Sequence, residues 1–179
     1  MLKITVPGLE CYDEDNNEFV YYKDQVLQLE HSLVSISKWE SKWHKPFLSE
    51  EDKTTEEIID YIKCMTITQN VKEDVYNRLT SDNIKDINDY IENPMTATTF
   101  SDEKKSAKKE IITSEIIYYW LVAYNIPFEC QKWHLNRLLA FIKVCTIKNS
   151  PPKKLSKNEI INRNKALNAA RRKKLNTKG

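Results

Sequence analysis

Glycine is almost missing from this chain. Only Gly8 and Gly179 occur in 179 residues, and neither lies inside its body. Loops that cradle phosphates need several glycines, so that backbone N–H groups can approach the anion. No Rossmann-type or P-loop-type loop can be assembled here, which argues against nucleotide chemistry of those kinds. Long apolar runs are missing too, and nothing approaches the roughly 18 residues needed to cross a bilayer. Residues Met1 to Val6 carry neither the long apolar core nor the cleavage site of a signal peptide, so the chain is expected to stay in the cytosol. The four cysteines, Cys11, Cys64, Cys130 and Cys145, are far apart and form no C-x-x-C pair. In a reducing compartment they read as free, mostly buried thiols.

What is present is an ordinary soluble mixture, 40% hydrophobic and 30% charged, enough for one domain and an appendage. The net charge of +2 hides an asymmetry. From Lys148 to Gly179 there are 11 Lys/Arg against Glu159 alone, a balance of +10, which leaves −8 for residues 1–147. An acidic body with a basic tail is the strongest compositional signal.

The first 30 residues read as strands. Lys3-Ile4-Thr5-Val6 stops at Pro7-Gly8, and a polar turn at residues 13–17 precedes Phe19-Val20-Tyr21-Tyr22. Alternation then puts Leu27 and Leu29 on one face, so a small antiparallel sheet or hairpin is expected. Helical spacing begins after His31: Leu33, Ile36, Trp39 and Trp43 form a stripe that ends at Pro46. Thr54 and Glu57 make a capping box for a helix carrying Ile58, Ile59, Ile62 and Met65. Val71 to Leu79 is a short helix candidate, and Ser81 can cap another that carries Ile84, Ile87 and Ile91 up to Pro94. Residues 101–110 read as an exposed loop or solvated helix start. Ile111 to Asn125 reads as a core helix, and Glu129 to Lys148 as another, with an apolar stripe of Leu135, Leu138, Leu139, Ile142 and Cys145. Ser150-Pro151-Pro152 is a stiff break, and Ser156 to Glu159 is a second capping box. The helix from Ile160 to Leu175 has only Ile160, Ile161, Leu167 and Leu175 to bury. The expected architecture is α+β, mainly α: a small N-terminal β element (1–30), a helical body (31–147) and a basic C-terminal tail or helix (148–179).

Catalytic constellations are weak. Cys130 and His134 are four apart, but a metal site needs two more ligands and Cys145 lies about three turns away. A packed thiol and a hydrogen-bonded imidazole are the simpler reading. A cysteine nucleophile lacks a local signature, and acid pairs such as Glu56-Glu57 suit helix N-termini. The chain therefore reads as non-catalytic, with no cofactor. Trp39, Trp43 and Trp133 serve either as core anchors or as a partly exposed aromatic patch for an apolar partner segment. The basic run Arg171, Arg172, Lys173 and Lys174 serves an acidic protein surface, this chain's own body in a neighbouring copy included, or nucleic acid, or solubility alone. Nucleic acid ranks below the protein surface, because no aromatic residue follows Phe141 to stack on bases.

Four stretches carry a resemblance. They are His31-Ser-Leu-Val-Ser-Ile-Ser-Lys-Trp-Glu-Ser-Lys-Trp-His-Lys-Pro-Phe-Leu48, Asp60-Tyr-Ile-Lys-Cys-Met-Thr66, Pro127-Phe-Glu-Cys-Gln-Lys-Trp-His-Leu-Asn-Arg-Leu-Leu139 and Ala166-Leu-Asn-Ala-Ala-Arg-Arg-Lys-Lys-Leu-Asn176. Together, over nearly the whole chain, they resemble the tail assembly chaperones of tailed bacteriophages. None is a catalytic signature, so no active-site residue is implied. The resemblance implies a host-cytoplasmic protein that coats the long, helical, aggregation-prone tape measure protein until tail tube subunits replace it. Its partners would be the tape measure protein or other tail proteins, with self-association possible in principle and no membrane. Such work needs apolar grooves rimmed by charge. On this reading the Trp39/Trp43 helix and the helices at 111–125 and 129–147 would form core and groove. The N-terminal strands are less expected of a helical chaperone and fit a structural minor tail or connector protein of the virion instead.

Overall fold

The computed structural model describes residues 1–13, 17–100, 111–150 and 157–176. The expected loop at 101–110, the break at 151–152, the box opened by Ser156 and most of the turn at 13–17 lie outside the described residues. The chain divides into two units, Met1–Cys145 and Thr146–Gly179. The fold is α+β and mainly α, with seven α-helices and four strands among the described residues.

The strands make two separate antiparallel pairs. β1 (Leu2–Val6) pairs with β4 (Gln25–Leu29), with Leu2 opposite Leu29 and Ile4 opposite Leu27. Period-two alternation sends Ile4, Val6, Leu27 and Leu29 to one face, where all four are buried. β2 (Leu9–Asp13) and β3 (Glu18–Tyr22) pair only with each other, as a hairpin arm. Gly8 stands at the arm's base because only glycine fits. A Cβ there would lie 2.4 Å from the Tyr22 carbonyl oxygen, and its N–H donates to Asp24 Oδ1 at 2.6 Å.

α1 (Leu33–Trp43) is capped by Ser32, whose hydroxyl accepts from the Ser35 N–H while the Ser35 hydroxyl accepts from the Ser32 N–H. It ends at His44 in the left-handed region (φ 53°), before Lys45, which Pro46 disfavours from helical geometry. α2 (Thr55–Met65) carries the expected Thr54/Glu57 box. The N–H of Glu30 donates to Met65 O and that of Ile67 to Gln28 O, so the end of α2 locks onto β4.

α3 (Asp74–Asn77) is shorter than the expected span from Val71 to Leu79. α4 (Ser81–Glu92) is capped by Thr80, not Ser81; Asn83 supplies the reciprocal hydrogen bond. α5 (Ser114–Ala123) starts three residues after Ile111, and its Ser114 N–H donates to Glu40 Oε2 at 2.8 Å. The expected single helix from Glu129 is broken. Phe128–Lys132 is a 3₁₀ turn, and α6 (Leu135–Asn149) begins only after His134. The cause is tertiary: the Leu135 N–H donates to the His31 carbonyl at 2.8 Å, and Ser32 bridges His134. Backbone committed to α1's cap cannot continue a helix.

The first unit buries one core, with Trp39, Leu33, Ile36, Ile62, Met65, Ile87, Ile117, Leu121, Leu135 and Leu138 fully enclosed. In the second unit α7 (Lys157–Leu175) exposes every described side chain. Among the described residues, no helix is long and apolar enough to cross a membrane.

Candidate partner-binding surface

Trp39 is a core anchor and not part of a surface patch. It is 1% exposed, its indole N–H donates to the Glu57 carbonyl at 2.9 Å, and Phe47 meets it edge-on at 5.2 Å. Of the two roles that the sequence leaves open for Trp39, core anchor and exposed patch, its burial fits the core anchor, because α1's spacing turns it inward with Leu33 and Ile36. Trp43 stacks on Trp39 at 6.2 Å and stays half-buried. Its indole donates to Asp60 Oδ2 at 3.0 Å, and Lys42 bonds the same carboxylate. Trp133 belongs to a different cluster. Half-buried ahead of α6, it carries the Arg137 guanidinium over its ring at 4.5 Å and Phe141 at 6.0 Å. Arg171, Arg172, Lys173 and Lys174 are exposed on α7.

A buried polar cluster ties α1, α2, α4 and the start of α6 together. His31 Nδ1 and Tyr61 Oη form a hydrogen bond of 2.5 Å, and the His31 and His134 rings lie 5.1 Å apart. His134 Nε2 donates to the Tyr90 carbonyl at 2.9 Å, leaving Nδ1 to accept from the Asn136 N–H at 3.3 Å. Those two partners fix the neutral tautomer. Burial, with the nearby His134 adding to it, pushes the His31 pKa down to about 4. Burial also lowers that of His134. Cys130 is a buried free thiol. Among the described residues, no group of three or more His, Cys, Asp or Glu is placed to hold a metal ion.

Among the described residues, the surface includes three apolar features suited to partners. The first is an apolar groove between α2 and α4, of about 190 Å³, lined by Ile58, Tyr61, Ile62, Ile84, Ile87 and Ile91. Phe47, Lys53 and Asn88 complete its wall, and the Lys53 ammonium sits 4.8 Å above the Phe47 ring. From the sequence, core and groove are expected on α1, α5 and α6; residues of α1 and of the start of α5 line an opening of about 300 Å³, whereas the apolar seam lies on other helices. α1, α5 and α6 contribute buried core residues, while the isoleucines of α2 and α4 keep an open seam between them. Its volume falls below the roughly 300–1,000 Å³ of small-molecule sites and suits side-chain knobs.

The second is the outer face of α5. This helix is apolar nearly all round; Ile117 and Leu121 are buried, while Tyr119 stays 68% exposed and Val122 also faces solvent. The third is the β2–β3 arm, where Tyr12 and Phe19 meet at 5.0 Å and both are exposed, as is Tyr21. The helix at 111–125 is expected from the sequence to serve core and groove together, whereas no surface is expected on the strands of the β2–β3 arm. The available signal was an excess of apolar residues over what one buried face accepts.

An α+β fold, mainly helical, with open apolar surface on several elements is what the residues define. No protein-family model, no curated protein and no solved structure matches this chain.

Proposed function

We propose that this chain is a non-catalytic tail assembly chaperone of a tailed bacteriophage, working in the host cytoplasm, which grips amphipathic helices of the tape measure protein. The observation that carries the reading is the isoleucine-lined groove between α2 and α4. A seam lined by isoleucines from two helices accepts the i, i+3, i+4 knobs of a third helix. Lys53 stands in the wall of that seam as its charged neighbour. The four stretches that resemble tail assembly chaperones supply the partner's identity. Ile58, 42% exposed, stands at the groove's mouth where an incoming side chain first meets it.

Co-expression tests the proposal. The tape measure protein of the same phage is expected to become soluble when the chain is present and to precipitate when it is absent or carries Ile58→Asp. Equal solubility in all three cases contradicts it. A structural minor tail or connector protein is the second reading, favoured by the exposed aromatic β2–β3 arm. Mass spectrometry of purified virions separates the two, because a chaperone leaves the particle and a structural subunit stays. Nucleic-acid binding through α7 ranks third, and a steep loss of affinity with rising salt in filter binding is its signature.

A further inference from the structure

The β2–β3 arm and α7 are complementary in charge. Residues 9–22 contain five acidic side chains, Glu10, Asp13, Glu14, Asp15 and Glu18, and no basic one. Among the described residues, Glu10 and Glu18 form no salt bridge. On the same arm Tyr12 and Phe19 are exposed, and Tyr21 is 69% exposed. A two-stranded sheet that covers neither face is marginal alone and gains from a partner. Residues 157–175 carry seven Lys/Arg and Glu159, a balance of +6.

The helix has a side suited to the arm. At 3.6 residues per turn, Ile160, Ile161, Leu167 and Leu175 fall within about a third of its circumference. All four are exposed. Arginine and lysine flank that stripe, and cations on tyrosine faces are the contact the arm already makes at its base, where the Arg78 guanidinium lies 5.0 Å from the Tyr22 ring.

We propose that the acidic, aromatic β2–β3 arm of one copy receives the basic helix α7 of a second copy. The two surfaces differ, so the contact is head-to-tail, and each added copy presents a fresh arm or helix. Association then continues past a dimer into a row of subunits. The contact requires no tape measure protein, so it is tested on the full chain alone, and its failure leaves the groove reading untouched.

Sedimentation velocity over a concentration series is the measurement. The chain is expected to grow in mass beyond a dimer and to lose at least tenfold in association constant between low and high salt. Two variants divide the contact: Phe19→Ser with Tyr21→Ser on the arm, and Arg171→Glu with Arg172→Glu on the helix. Each alone is expected to be a monomer, and their equimolar mixture is expected to form a dimer that grows no further, because only one intact arm and one intact helix remain per pair. Glu10→Lys with Glu18→Lys is a second arm variant, which the Arg171→Glu, Arg172→Glu chain should rescue by charge reversal in a mixture even if the serine variant misfolds. A wild-type chain that stays monomeric at its solubility limit overturns the proposal, as it would if arm and helix met within one chain. Variants that still self-associate overturn it, as do mixtures that fail to pair and association that appears only when DNA is added.

Discussion

At the scale of single residues, stability concentrates where polar groups had to be enclosed. Trp39 fills the core and donates its indole N–H to a backbone carbonyl, so Trp39→Ala leaves a cavity and removes that hydrogen bond. The expected cost is about 3–5 kcal/mol by urea denaturation. Trp43→Ala, at a half-buried site, is expected to cost clearly less. The two enclosed histidines predict an acid limit. Both are held neutral in the folded chain, whereas the unfolded chain takes up protons near the ordinary imidazole value of 6.5. Below that pH the unfolded state binds more protons, so stability is complete above pH 6.5 and falls as the pH drops toward about 4. The slope approaches roughly 1.4 kcal/mol per pH unit for His31, and His134 adds to it in the same direction. Denaturation midpoints measured from pH 7.5 to 4.5 check this. His31→Gln should flatten the profile, and a flat profile in the unaltered chain would refute the neutral pair.

Secondary structure was most legible where local chemistry and burial agree. The Thr54/Glu57 box is visible in the sequence because both partners are local, and it forms as read. Thr54→Ala is expected to lower stability by about 0.5–2 kcal/mol, measured by thermal and urea unfolding. The buried face of β1 and β4 was equally readable from alternation. Elsewhere tertiary contacts decided. Threonine at 80 and serine at 81 are both good caps, and only the reach of Asn83 back to the Thr80 N–H, together with its side-chain bond to the Thr5 carbonyl, selects the former. The break before α6 depends on His31, more than 100 residues away in sequence, whose carbonyl holds the Leu135 N–H. For the candidate site, the tryptophans stood out by type but not by placement. A stripe of isoleucines looks the same whether its helix closes against a neighbour or leaves a seam, so the α2–α4 groove could not be read from Ile58, Ile62, Ile84 and Ile91 alone.

Across the whole molecule, charge and burial are partitioned. The first unit holds the core, and the second contributes a helix whose described side chains are all exposed. Removal of residues 150–179 should therefore shift the melting temperature of the remaining chain by less than the roughly 2–4 °C that 1 kcal/mol represents at this size. A drop of many degrees in differential scanning calorimetry would assign α7 a part in the core. The proposed function requires the seam between α2 and α4 to grip an apolar helix. It is tested most directly by fluorescence anisotropy of a labelled amphipathic peptide from the tape measure protein, titrated with the unaltered chain and with Ile58→Asp. Saturable binding to the former and at least a tenfold weaker affinity for the latter are expected, with both chains equally folded by circular dichroism. Equal affinity for the two, or no binding to either, would contradict it.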